Sequence, residues 1–313
     1  MGKITSGILS ISPIQAAFER RLRRYRTEPL RRRMEEIAEA FLAGYHTALE
    51  EDAAAQVARR LAAVAPERRG FAAEGVGMGL ALLDSLTPWR RDRLLGFAQG
   101  PGRDQAYMLH VGAGWALAWP LASPQQMLAR LDPVLGWMTL DGFGFYASFF
   151  RGRRTVVRQL YPRRLWGRGR EVFDIGIGRR LWFLDDPGIG SALDVVAAFP
   201  PSRRSALWSG LGEACAFGGG RDESALLALR RAAGPYLADL AQGVAFSAEV
   251  REQGGNPAPH TELACRTVCG MSAAEAAAIV QDTASALPPE SELPGLAVWR
   301  LGVQQCFGDL RGL

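Results

Sequence analysis

"GVGMGLALLD", residues 75–84, sets glycines at 75, 77 and 79 and then runs into an apolar stretch. Two physical readings compete for such a motif. Closely spaced glycines can gather backbone amides around a phosphate at a helix N-terminus. They can equally lie inside a helix and let a neighbouring backbone come closer than any side chain would allow.

Recurrence decides between them. "GMGLALLD" begins at Gly77, "GAGWALAW" at Gly112, "GFGFYASFF" at Gly142, "GIGRRLWFL" at Gly176 and "GLGEACAFGGG" at Gly210, at intervals of 35, 30, 34 and 34 residues. A weaker copy, "GYHTALE", starts at Gly44, and a distant one, "LGVQQCFG", at Leu301. One phosphate loop per chain is ordinary; five at a fixed period are not. A dinucleotide fingerprint also needs a buried strand before the glycines, and "VAPERRGFAAE" reads instead as a loop entering a helix.

A period near 34 residues is the signature of stacked helical pairs. "WSGLGEAC" places Trp208, Leu211, Gly212 and Cys215 like the first helix of a tetratricopeptide repeat. The expected fold is therefore all-α, built from helix-pair repeats of about 34 residues, as a tetratricopeptide-like α-solenoid or a closed α/α array. Residues 1–313 form one helical-repeat domain in this reading, with residues 1–27 as a basic N-terminal arm. Leu30, Met34, Ile37, Phe41 and Tyr45 make a helical stripe. "SPQQMLARLDPVL" reads as a second helix with Ser123 as N-cap and Pro124 in the first turn. Residues 221–253 read as helical throughout, and "RTVVRQLYP", residues 154–162, as a short strand.

An apolar share of 48% and a charged share of 22% belong to a soluble globular chain. The net charge of +5 is carried by arginine, Lys3 being the one lysine. That bias reflects genome base composition, so no nucleic-acid partner is inferred. Cysteines 215, 265, 269 and 306 form no CxxC pair and no zinc spacing, which fits a reduced cytoplasmic compartment. "MLHVGAGWALAWPLA" is too short to span a bilayer, and no signal peptide opens the chain. No nucleophile elbow, HExxH or Walker motif is present, so no cofactor or metal is expected.

The remaining candidates are polar residues in the glycine helices. His110, Asp174 and Trp208 each stand two positions before the first glycine of a copy. Glu74 and Asp141 lie close to the same position. Equivalent positions in a stacked repeat share a face, so His110, Asp174 and Trp208 would line one inner surface with Glu74 and Asp141 close to its edge, and His110, Asp174, Glu74 and Asp141 are candidates for proton transfer there. The structural alternative is capping and loop satisfaction. Arg179 and Arg180 follow Gly178 in an otherwise apolar helix, so one of them is expected to point into a polar cavity or to pair with an acid, for which Glu213 and Glu262 are candidates. Trp115, Trp182 and Trp208, with Arg179, are candidate ligand-binding residues.

"RRGFAAEGVGMGLALLD", "YMLHVGAGWALAW", "DGFGFYASFF", "FDIGIGRRLWF", "LWSGLGEACAFGGG" and "HTELACRTVCG" together resemble the UnbL-type proteins of enediyne biosynthesis. The resemblance runs in order from about residue 36 to residue 308. The third motif departs from that family, with Tyr146 in place of a histidine and Ser148 in place of a glycine. The resemblance implies an accessory protein of enediyne polyketide biosynthesis that binds or transforms the polyene intermediate of an iterative polyketide synthase. The alternative is a non-catalytic scaffold for a protein partner, and whether the chain is an enzyme stays open. A cavity lined by aromatic rings would suit a hydrophobic polyene. "RGRRTVVRQLYPRRLWGRGR", residues 151–170, holds eight arginines and no acid. In the setting the resemblance implies, Arg153, Arg154, Arg163 and Arg164 would meet the synthase or an acidic acyl carrier protein.

Overall fold

The computed structural model describes residues 28–87, 92–119, 122–183, 190–288 and 294–308, with 19, 25 and 89 besides. Most of the expected basic arm, residues 1–27, lies outside the described residues. The described chain is all-helical, with no strand among the described residues.

Apolar spacing and punctuation by glycine and proline set the elements. Glu28–Glu50 forms α1, Ala54–Ala62 α2, Pro66–Leu86 α3, Arg93–Gln99 α4, Ala106–Ala116 α5, Pro124–Leu128 α6 and Met138–Gly152 α7. Gly169–Trp182 forms α8, Gly190–Ala198 α9, Pro201–Gly218 α10, Glu223–Ala233 α11, Leu237–Gln253 α12, Pro259–Ala264 α13, Ala273–Ser285 α14 and Gly295–Cys306 α15. Leu30, Met34, Phe41 and Tyr45 are buried along α1. Proline occupies the first turn of α3, α6, α10 and α13, where its missing N–H costs nothing. Ser272 and Glu275 close a capping box on α14.

Two compact units divide the chain. The first comprises the residues up to Phe143 with Gly254–Asn256; the second comprises Gly144–Gln253 and Pro257–Leu313. The amide of Gln105 donates to Gly254 O at 3.0 Å, which ties the short later segment to the first unit.

The glycines of the repeated motif lie inside helices, at the contacts between them. A Cβ built on Gly112 would fall 1.8 Å from Glu74 O, and one on Gly77 would fall 2.1 Å from Leu109 O, so α3 and α5 meet backbone to backbone. The same reciprocal pairing joins α1 to α3 through Gly44 and Gly75, with built Cβ atoms 1.8 Å from Ala72 O and 1.9 Å from Phe41 O. It joins α5 to the first residues of α7 through Gly114 and Gly142, opposite Thr139 O and Val111 O. In the second unit it joins α8 to α10 through Gly178 and Gly210, and α10 to α12 through Gly212 and Gly243. Each carbonyl approached lies three residues before the partner's own glycine. The glycine hydrogen takes the line that Cβ would occupy, the geometry of a Cα–H···O contact, about 0.5–1 kcal/mol each. Two such contacts offset the roughly 1 kcal/mol that glycine costs within a helix.

The pair α10 and α12 runs parallel. Along α10 and α12, Ser205 bonds Asp239, Ser209 bonds Gln242, Ser247 bonds Glu213 O and Arg251 bonds Phe217 O, always 33 or 34 residues apart.

Several local expectations need correction. Residues 154–162 form no strand: Arg153–Val157 is a π-helical turn, the buried Thr155 hydroxyl donates to Ala147 O at 3.2 Å, and Gln159 has φ of 54°. No strand among the described residues lies alongside to pair with an extended segment, so local turns win over the β-propensity of Val156 and Val157. The helix after Ser123 stops at Leu128, because Asp132 Oδ1 instead accepts from the amides of Val134 and Leu135, both at 2.8 Å. Ser123 stands at the N-cap but its hydroxyl makes no capping bond. Residues 221–253 break at Gly234, whose φ of 51° ends α11, and at Pro235.

Candidate functional site

The reciprocal contacts reset the register of the copies. The glycine that faces back to the previous helix is Gly75 in α3, and it matches Gly112, Gly142, Gly210 and Gly243. Glu74, Asp141, Ser209 and Gln242 therefore stand one residue before this glycine, whereas His110, Asp174 and Trp208 stand two before it. One residue is about 100° of helix rotation, so Glu74 and Asp141 point to a different side of their own helices from the position that His110 and Trp208 share in their copies.

In the first unit the indole Nε1 of Trp115 donates to Glu74 Oε1 at 2.9 Å, and the Phe41 ring lies 4.4 Å from the Trp115 ring. Glu74 is 5% exposed and Trp115 2%. His110 is 2% exposed, and its Nδ1 lies 2.7 Å from Ala106 O, which makes Nδ1 the protonated nitrogen. Its Nε2 is buried with no hydrogen-bond partner among the described residues. Burial pushes the His110 pKa down, while the Ala106 carbonyl and Asp132 pull the other way. Asp141 is fully buried in the first turn of α7.

In the second unit Asp174 is a structural clamp. Arg203 grips both its oxygens, Nε to Oδ2 at 2.8 Å and Nη2 to Oδ1 at 2.5 Å, and Tyr161 donates to Oδ2 at 2.6 Å. Burial raises the Asp174 pKa and Arg203 opposes it. Trp208 stacks on Tyr236, and Trp182 donates to Gly219 O at 2.7 Å beneath the guanidinium of Arg221. Arg179 lies over the Phe145 ring at 5.3 Å and Arg180 over Phe149 at 5.1 Å. The acids proposed for them are engaged elsewhere: Glu213 with Arg300 at 2.8 Å, and Glu262 with Arg266 at 2.6 Å.

The arginines of 151–170 are exposed, including Arg153, Arg154, Arg163 and Arg164. Arg168 pairs with Glu171, and Arg170 lies over Tyr161.

The sequence reading missed a buried polar network in the second unit. Arg300 of α15 donates to Glu213 Oε1, to Ser209 Oγ and to Gln242 Oε1, and lies over Phe246 at 5.0 Å. Ser209 donates to Gln242 at 2.7 Å, and Gln304 donates to Asp239 at 2.7 Å. The corrected register was the signal that could have found Ser209 and Gln242. Arg251, 1% exposed, was also missed; it donates to Phe217 O at 2.5 Å and meets His260 Nε2 at 3.3 Å.

The chemistry available is limited by burial. Cys215, Cys265 and Cys269 are buried, and burial raises all three thiol pKa values, that of Cys265 to about 12, which disfavours the thiolate. Among the described residues no group of three or more His, Cys, Asp and Glu could hold a metal ion. A cavity of about 320 Å³ in the first unit is lined by Ala43, Gly44, Thr47, Leu61 and Val76, with Arg60 beside them. A second, about 280 Å³ in the second unit, lies against Arg251, Glu252, Pro259, Thr261 and Glu262. A third, about 70 Å³, is lined by Asp84, Leu94, Met127 and Arg130. The candidate catalytic and ligand-binding residues line none of these three. Among the described residues no single helix is long and apolar enough to cross a membrane.

No curated protein matches the chain, and no solved structure does. The family described as "Protein of unknown function (DUF1702)" matches residues 1–307. The chain belongs to the DUF1702 family of proteins of unknown function.

Proposed function

We propose that this protein is an accessory protein of enediyne polyketide biosynthesis that acts as a stacked-helix scaffold for a component of the polyketide synthase. The pathway comes from the resemblance of six ordered motifs. One observation carries the scaffold role: Glu74, His110 and Asp174 are each at most 5% exposed and engaged within the helical packing, by Trp115, Ala106 O, and Arg203 with Tyr161. A general acid or base must reach substrate, and polar groups enclosed in this way serve packing instead.

A second reading, binding of the polyene itself, is favoured by the cavity between α1, α2 and α3. Its volume of about 320 Å³ and its lining of small apolar residues fit part of a hydrocarbon chain, while Arg60 at its edge is held by Glu50 and Glu51 at 2.7 and 3.1 Å.

The test is affinity capture of the intact synthase by the tagged chain, together with the absorbance spectrum of the purified chain. The scaffold reading expects retained synthase and no bound chromophore. If Glu74→Gln, His110→Gln or Asp174→Asn abolishes product formation while thermal stability stays at the parent value, the enzymatic reading replaces it.

A further inference from the structure

We propose that the exposed face of residues 151–170 is a docking surface for an acidic protein helix carrying an apolar stripe, a proposal that rests on the scaffold reading above. The segment holds eight arginines and no acid, and all eight side chains are exposed. The structure adds two features that charge alone does not contain.

The first is apolar surface among the charges. Val157 is 76% exposed, Leu160 47% and Trp166 40%. Among the described residues six large hydrophobic side chains are exposed, so half of them fall within this one segment. The second is anchorage. Thr155 donates to Ala147 O, Gln159 Nε2 to Ala198 O at 2.9 Å, Arg203 Nη1 to Gln159 O at 2.8 Å and Tyr161 to Asp174 at 2.6 Å. Leu165 is buried at 2% exposure. The backbone is thus pinned between exposed side chains, and binding to a pre-organised surface avoids much of the cost of ordering it.

The occupant follows from complementarity. Arginine forks take carboxylates in paired geometry, and Trp and Arg dominate the energetics of protein interfaces. A nucleic acid would satisfy the arginines but leave Val157, Leu160 and Trp166 in water. Val157, Leu160 and Trp166 stand among the exposed arginines and suit a ridge of apolar side chains on a helix. Carboxylates flanking such a ridge complete the match.

The experiment uses the full chain and, as probe, the phosphopantetheinylated acyl carrier protein domain of the iterative polyketide synthase. One variant carries R153Q, R154Q, R163Q and R164Q; the other carries V157S, L160S and W166S. These side chains are exposed, and unchanged circular dichroism and melting temperature verify that both variants fold. The parent is expected to bind with an affinity that falls as salt rises, and each variant to bind at least about tenfold more weakly. Equal binding by parent and either variant overturns the proposal and leaves the scaffold reading standing. So does a parent that captures the intact synthase but not its carrier domain. A parent that captures neither overturns both. Flotation of the parent with phosphatidylglycerol vesicles, abolished in the variants and without carrier binding, overturns the proposal in favour of a membrane.

Discussion

Replacing Gly112 by alanine tests the packing account most directly. The new Cβ would lie 1.8 Å from Glu74 O, 2.6 Å from its carbonyl carbon and 2.9 Å from its Cα. These are backbone atoms in the middle of α3, so no side-chain rotation relieves the clash. Carbon–oxygen contacts close to about 3.3 Å, so α3 and α5 must part by roughly 1.5 Å at this point. Overpacking of this kind costs about 1–3 kcal/mol, and losing the two Cα–H···O contacts adds about 1–2 kcal/mol. Alanine returns about 1 kcal/mol of helix propensity, which leaves a net loss of about 1–4 kcal/mol. Gly96 in α4 is the control, because a Cβ there meets nothing within 4 Å. The same change at Gly96 is expected to stabilise by up to about 1 kcal/mol. Urea unfolding followed by circular dichroism reads both, as shifts of midpoint at constant slope. If Gly112→Ala unfolds at the midpoint of Gly96→Ala, close backbone approach is not what the glycine provides.

Other substitutions probe the buried polar groups. Arg300→Met leaves Glu213 buried without its guanidinium and is expected to cost about 3–5 kcal/mol; adding Glu213→Leu should recover much of the loss, and a double variant no more stable than the single one contradicts the pairing. Trp115→Phe removes the indole donor to Glu74 and is expected to cost about 1–3 kcal/mol, read as a lower melting temperature. Buried His110 has a pKa below its ordinary 6.5, so the unfolded chain binds its proton more readily. Its contribution to stability is whole above about pH 6.5 and declines as pH falls toward the folded value. His110→Asn should flatten that part of the stability profile; an unaltered profile would assign the dependence to another group.

The helical class was legible in the sequence because its cause is local. Recurring small residues at a period near 34 cannot serve a strand or a single loop, and Pro66, Pro124, Pro201 and Pro259 start helices wherever the chain sends them. Capping of α14 by Ser272 and Glu275 is likewise local. Which glycine faces which neighbour was not legible, since Gly75, Gly77 and Gly79 are equivalent until α1 and α5 arrive on either side. That one-residue ambiguity rotates a side chain by about 100°, so the spacing alone does not say on which side of its helix Glu74 or Asp141 lies. Long-range partners decided the rest. Arg203 claims Asp174 across 29 residues and Arg300 claims Glu213 across 87. No spacing rule encodes such pairs, because a buried charge takes whichever counter-charge the tertiary packing brings within reach. Exposure of Val157, Leu160 and Trp166 belongs to the same class of facts: whether an apolar side chain is covered depends on what packs over it, which only the folded chain determines.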